Sequence, residues 1–340
     1  MGLQKKILLG VLTLVLLAFC IIGGRLYYQA THPASPTQAA SVIIEVKPGM
    51  TMKQLVVRLA QHKLIQNAIA FRLLAYFEKK QNQIQVGEYA LSPSMLPRDI
   101  LDKIRTGLTI KYPVTIPEGH RITEIAHLLA QNGLADRDRF IQLAQDSEVI
   151  KSLDIRASTL EGYLFPETYH FSKTTGERAI IKAMVDIFKK RVITPENIQR
   201  LDELNFDLNQ AVTLASLIEK ETGLERERQM VSSVFHNRLK KNMRLQTDPS
   251  VIYALADFDG NIRKKDLSID SPYNTYKYAG LPPGPIANPG LKSIQAALYP
   301  ADTNYLYFVS RNDGSHRFTT NLDDHNHAVA EFQLKKPGRS

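Results

Sequence analysis

The chain has 340 residues, 44% hydrophobic and 23% charged, with a formal net charge of +9, which excludes a disordered or collagen-like polymer and allows two or three domains with a sizeable core. One cysteine excludes an internal disulfide framework, so the core must hold the fold. The basic excess forms no dense run, which speaks against nucleic acid as a partner and fits an anionic surface or an acidic polymer.

Residues 7–24, ILLGVLTLVLLAFCIIGG, carry no charge and are long enough to span a bilayer. A cleavable signal peptide has a shorter apolar region followed by a small-residue cleavage site, so an uncleaved anchor is the better reading. Lys5 and Lys6 before the run, against Arg25 after it, place the N-terminus in the cytoplasm and the remainder outside. The expected layout is a cytoplasmic tip and transmembrane helix over 1–28 and a small, polar, proline-containing linker over 29–41.

A module over 42–110 then reads as a strand at 42–46, a Pro48-Gly49 turn, and an amphipathic helix capped by Thr51. A helix over 68–80, a strand near 88–91 and a helix over 98–105 follow. Shifting by seventy residues superposes VKPGMTMKQLVVRLAQHKL, from Val46, on IPEGHRITEIAHLLAQNGL, from Ile116. A related strand–helix bridge is therefore expected over 111–153. The first unit's PG.T...LA pattern resembles the LysM fold, which grips N-acetylglucosamine-containing glycans.

Residues 159–171, TLEGYLFPETYHF, set aromatics beside Glu161 and Glu167, a pattern that suits sugar binding or an edge strand packed on a core. Helices over 177–192 and 195–204 lead to LNQAVTLASLIEKETG at 208–223, an apolar helix with Asp207 as N-cap and Gly223 as the residue past its end. Glu219 and Glu221 share its last turn, where the helix end disfavours an ionised carboxylate by roughly 0.3–1 kcal/mol. Glu219 falls on a face with Ala215, Ser216 and Thr222, small residues that leave room for a ligand and a raised pKa suited to a general acid. Glu221 follows the stripe of Leu214, Leu217 and Ile218.

A further amphipathic helix is expected over 225–241, then a polar turn at 245–250 whose Thr247 or Asp248 caps a short helix over 250–255. Rigid Gly/Pro loops at 271–276 and 280–290 suit the wall of a polymer groove. Strands at 306–310 and 316–320 form a hairpin, followed by a helix over 325–334. His316, His325 and His327 with Asp323 and Asp324 lack a metal-ligand spacing, so no metal is expected.

ASLIEKET (215–222), LQTDPSVIYAL (245–255), SPYNTY (271–276), GLPPGPIANPG (280–290), LYFV (306–309) and EGYLFPETY (161–169) together resemble the YceG-like family of endolytic murein transglycosylases. The likeness runs in chain order from the anchor almost to the C-terminus. It implies a single-pass bacterial inner-membrane protein whose catalytic domain, over 154–335, faces the cell wall in the periplasm. It also implies internal cleavage of peptidoglycan glycan strands between N-acetylmuramic acid and N-acetylglucosamine without water, leaving 1,6-anhydro ends and terminating nascent strands.

The first acid of the EKE motif, Glu219, is then the catalytic acid and base, with Glu221 in support. Gln246, Thr247, Asp248, Asn274 and Tyr276 become the candidates for lining the groove. No cofactor is implied; peptidoglycan synthases are the implied protein partners. The fold expected is α+β: one transmembrane helix, a LysM-like module, and a larger, mainly helical catalytic domain with a C-terminal hairpin. The competing reading is a non-catalytic, membrane-anchored peptidoglycan-binding scaffold.

Overall fold

A computed structural model describes residues 2–80 and 82–334, and helices mix with small two-stranded sheets, as the α+β reading expects. Residues 1 and 335, outer bounds of two expected segments, lie outside the described residues. The chain divides into two units: one holds the described residues up to Tyr112 with His170–Thr174, the other Pro113–Tyr169 and the residues from Thr175 on. The strand–helix bridge expected over 111–153 thus belongs, from Pro113 on, to the second unit.

The first unit begins with α1 (Leu3–Thr31), long and apolar enough to cross a membrane. It runs past residue 28, so the first three residues of the expected linker are helical. The helix stops where His32, the residue before Pro33, turns extended at φ −114°. Next come β1 (Val42–Val46), α2 (Met52–Gln61), α3 (Ala68–Phe77), β2 (Gly87–Leu91) and α4 (Pro97–Thr106). β1 and β2 pair antiparallel, with Val42 opposite Leu91 and Val46 opposite Gly87. Their inward residues Ile44, Val46 and Tyr89 pack with Leu55, Leu59, Phe71 and Ile100 of the helices into one core.

Local chemistry accounts for these boundaries. Thr51 and Gln54 exchange side-chain and backbone bonds in a capping box at the start of α2. Asn67 caps α3, accepting from the N–H of Ile69 at 2.8 Å. α3 ends at Phe77, three residues before the expected limit, because Glu78 leaves the helix and Lys79 turns left-handed at φ +56°. Pro97 opens α4 and Gly107, at φ +70°, ends it.

β3 (Tyr112–Thr115) is followed by α5 (Ile122–Gln131), α6 (Arg137–Gln145), α7 (Ser147–Ser152) and β4 (Thr168–Phe171). Within the second unit, the hydroxyls of Thr115 and Thr168 lie 2.8 Å apart, and the Ile116 N–H donates to Glu167 O at 3.0 Å. The repeat read from the sequence is structural, since α5 begins and ends seventy residues after α2. Gly49 and Gly119 hold the preceding turns at φ +75° and +74°. The aromatic stretch serves the core: Leu160, Tyr163, Leu164 and Phe165 are buried, and the Tyr163 ring packs edge-on to Phe188 at 5.1 Å.

The rest of the second unit comprises α8 (Glu177–Val192), α9 (Pro195–Leu204), α10 (Leu208–Glu221), α11 (Arg228–Lys240), α12 (Asp248–Ala254), α13 (Leu291–Leu298), the hairpin β5 (Tyr307–Ser310) and β6 (His316–Thr319), and α14 (Leu322–Val329). A 3-10 turn at Glu225–Glu227 precedes α11, where the sequence reads one continuous helix. The final helix starts at Leu322, earlier than expected, because Asn321 caps it by accepting from the Asp324 N–H. Residues 211–218 of α10 are buried on every face, so this helix is the axle of the unit, with α11, α12 and α13 packed around it.

Candidate active site

Asp207 caps α10 as expected, in a capping box with Gln210. At the other end Thr222 is extended at φ −139°, and Gly223 is not left-handed, so the expected glycine cap is absent. Nor do the small residues of α10 form an open floor. Ala215 and Ser216 are fully buried, and the Ser216 hydroxyl accepts from the N–H of Ile286 at 3.0 Å. Small side chains there let the Gly/Pro loop before α13 lie directly on α10.

Glu219 follows from that packing. Its side chain is only 7% exposed, Oε2 accepts from the Gly290 N–H at 3.0 Å, and Oε1 lies 3.5 Å from Arg228 Nη2. Gly290 is the N-cap position of α13, so the acid at the unfavourable end of one helix sits at the favourable end of another. Arg228 also stands 3.8 Å from Glu118. Burial, with the neighbouring Glu219 charge, raises the Glu118 carboxyl above its ordinary range.

Glu221 faces elsewhere. It lines an open cavity of about 470 Å³ whose walls include Arg238, Gln246, Asp248, Tyr276, His316 and Asn326. Thr247 donates its hydroxyl to Glu221 Oε2 at 2.8 Å. Burial pushes the Glu221 carboxyl up to about 7, with the Asp248 charge adding and the Thr247 bond and Arg238 opposing. The two acids therefore occupy the reverse of their expected places: Glu219 is enclosed and bonded, while Glu221 meets the cavity.

Of the five groove candidates, Gln246, Asp248 and Tyr276 line this cavity. Asp248 accepts from the Tyr276 hydroxyl at 2.6 Å. Gln246 is held left-handed at φ +50°, and its N–H donates to Thr275 O at 3.1 Å, a strained turn of the kind found at functional sites. Thr247 lies behind the wall, where its hydroxyl is spent on Glu221; the side chain does not cap α12. Asn274 is buried, donating to the carbonyls of Leu267 and Ile269 at 3.0 and 2.9 Å and accepting from the Tyr276 N–H. It fixes the loop that carries Tyr276.

Three site residues escaped the sequence reading. Arg238 is buried on α11, donating to Leu306 O and Leu245 O, each at 2.7 Å; desolvation lowers its pKa. Its signal was a charged residue four and seven positions after the buried Val234 and Val231. His316, weighed only as a metal ligand, has Nδ1 2.8 Å from Glu227 Oε2, while its N–H donates to Glu227 Oε1. Glu227 is buried, and nothing local in the sequence links it to a strand 89 positions later.

Glu161 ties the start of α5 to the loop before α13. Buried, it accepts from the Ile122 N–H at 3.0 Å and from Asn288 Nδ2 at 2.9 Å. Asn288 O in turn accepts from the Gly119 N–H at 2.8 Å, next to Glu118. Burial pushes the Glu161 carboxyl up to about 8 from 4.5. Between those values the folded state holds a proton that the unfolded state releases, so this contribution is fully present below pH 4.5 and is lost as pH rises through about 8. Glu161→Gln keeps an acceptor for both donors. The variant should flatten the alkaline fall in melting temperature relative to the parent, measured between about pH 5 and about pH 9.

A family model described as the YceG-like family matches residues 44–331. The chain is 35% identical over 334 residues to the endolytic murein transglycosylase of Bacillus subtilis (strain 168), covering 93% of this chain and 92% of that protein. It is 29% identical over 359 residues to the endolytic murein transglycosylase of Streptococcus pneumoniae serotype 2 (strain D39 / NCTC 7466), covering 95% of this chain and 65% of that protein. A crystal structure of a putative yceG-like protein from Listeria monocytogenes aligns with a TM-score of 0.58 at 34% identity, covering 84% of this chain and 98% of that one.

Proposed function

Because the chain belongs to the YceG-like family and is similar along most of its length to endolytic murein transglycosylases, we infer that it is a lyase that cuts peptidoglycan glycan strands internally. The observation that carries the chemistry is Glu221, a carboxyl held near 7 in an open, polar-walled cavity. Such a group is protonated often enough to act as an acid at neutral pH, and its conjugate base is strong enough to take a proton back.

One carboxyl then serves both steps. Glu221 gives its proton to the glycosidic oxygen as the bond from C1 of N-acetylmuramic acid breaks. The carboxylate then takes the C6 hydroxyl proton as that oxygen closes on C1. A 1,6-anhydro end forms, the carboxyl is regenerated, and no water enters. The nucleophile belongs to the substrate, so the paired carboxylates of a hydrolase are unnecessary. The acid is thus assigned to Glu221, with Glu219 as the residue that ties α10 to α13. Gln246, Asp248, Tyr276 and His316, which line the cavity, bond sugar hydroxyls and amides in this reading, and Glu227, 2.8 Å from His316 Nδ1, orients its ring.

α1 is the membrane anchor in this reading, with Lys5 and Lys6 on the cytoplasmic side and both folded units facing the wall. The β1–α2–α3–β2 order, with its antiparallel strand pair, supports a LysM-like first module. An anchored enzyme acting near the bilayer meets strands as they are made, which fits termination of nascent chains beside peptidoglycan synthases.

Uncrosslinked glycan strands digested with the full chain in detergent and analysed by mass spectrometry should yield shorter strands whose new ends lack one water. Ends carrying that water would overturn the transglycosylase chemistry, and intact strands would favour the scaffold reading.

A further inference from the structure

The first unit carries an apolar face that its own core does not use. On α3, Ile69, Leu73, Tyr76 and Phe77 are 60%, 39%, 63% and 76% exposed, at positions i, i+4, i+7 and i+8. Four such side chains on one short helix form an amphipathic surface opposite the buried Ala70, Phe71 and Ala75. Lys53 and Arg72 line the same groove as Ile69, Leu73 and Tyr76, giving it a basic rim.

The position of α3 identifies what this face meets. α3 packs against α1 in the same unit. Gln66, just ahead of α3, donates from Nε2 to Pro33 O at 2.8 Å, so α3 starts beside the end of α1. Protein begins to cover α1 only at Leu26, two residues past the uncharged run that ends at Gly24. At about 1.5 Å per residue, the stretch 26–31 lies roughly 3–10 Å beyond that run. The headgroup layer on each side of a bilayer is about 5–7 Å deep. Tyr27 and Tyr28, both exposed, mark the same level with the aromatic residues favoured at membrane interfaces.

We propose that the Ile69–Leu73–Tyr76–Phe77 face of α3 docks on an anionic bilayer surface beside the α1 span, with Lys53 and Arg72 against lipid headgroups. The first unit is then held by two membrane contacts, a span and an interfacial helix, instead of swinging on one tether. This rests on the reading of α1 as a membrane anchor.

The test uses the full chain in phosphatidylglycerol-containing nanodiscs and exploits the single cysteine. A bimane dye on native Cys20 reports the span itself. In a Cys20→Ala background, Leu73→Cys and Tyr76→Cys place the dye on the docking face, at exposed positions whose replacement leaves the core intact. Both labels should be quenched by brominated lipids, shielded from aqueous iodide, and located roughly 5–10 Å into the interfacial region. Phosphatidylcholine-only discs should weaken the shielding, because the basic rim then loses its partner. Labels at 73 and 76 open to iodide while Cys20 is lipid-quenched would overturn the docking face and leave the anchor standing. A Cys20 label open to iodide as well would overturn both.

Discussion

Glu221→Gln is expected to lower strand cleavage by about 10²–10⁴-fold with little change in melting temperature, the range a positioned acid–base group contributes. The amide can still accept from Thr247 but cannot supply a proton, and the folded state loses only a carboxyl that burial already disfavours. Glu219→Gln should do the reverse. Its replacement keeps an acceptor for Gly290 but faces Arg228 without charge, so that among the described residues the buried guanidinium keeps the half-exposed Glu118, 3.8 Å away, as its ion-pair partner. Breaking a buried pair in this way costs about 3–5 kcal/mol at its strongest. The loss should register chiefly in the melting temperature, with activity reduced by no more than about tenfold, or about 1.4 kcal/mol.

The pH profile separates the two acids further. As the proposed acid, Glu221 must be protonated to act, so the rate should fall as pH rises through about 7. Thr247→Val removes a bond that favours the ionised form, so that fall should move to higher pH. If Glu219→Gln abolished cleavage while Glu221→Gln retained it, the acid would be Glu219 after all.

Gly162→Ala should produce a large loss of stability for a single methyl addition. Gly162 sits at φ +88°, and a Cβ there would lie 2.5 Å from Pro285 Cγ and 2.7 Å from Val212 Cγ1. A left-handed alanine costs roughly 1–2 kcal/mol and overpacking a rigid core about 1–3 kcal/mol, so a loss of about 2–5 kcal/mol is expected. Neither neighbour can yield cheaply, since Pro285 is a ring in a constrained loop and Val212 is buried in α10. Gly119→Ala is the matched control: its φ is +74°, but its nearest neighbour, Glu219 Cγ, is 3.4 Å away. It should lose only about 1–2 kcal/mol. Urea midpoints of the two variants measure the difference.

Local patterns were legible because their causes are local. The capping boxes at Thr51 and Asp207 lie within four residues of sequence, and the periodicity of 177–192 reproduces the bounds of α8. The seventy-residue shift that aligned Gly49 with Gly119 found two equivalent left-handed turns, each a consequence of one glycine. The stretch 159–171 was ambiguous because aromatics serve sugars and cores alike. Burial of Tyr163 against Phe188 is set by α8, which follows in the chain.

The sequence by itself determined the apolar span, the paired strand–turn–helix units, the capped helix α10 and the motifs that mark the family, all properties of adjacent residues. The tertiary structure alone decided which glutamate meets open space. A two-residue step on a helix turns a side chain by about 200°, so Glu219 and Glu221 were bound to point apart. Which direction is solvent depended on α13 and its loop closing over Ala215 and Ser216 from seventy positions away, and on Thr247 and the hairpin leaving the opposite side open.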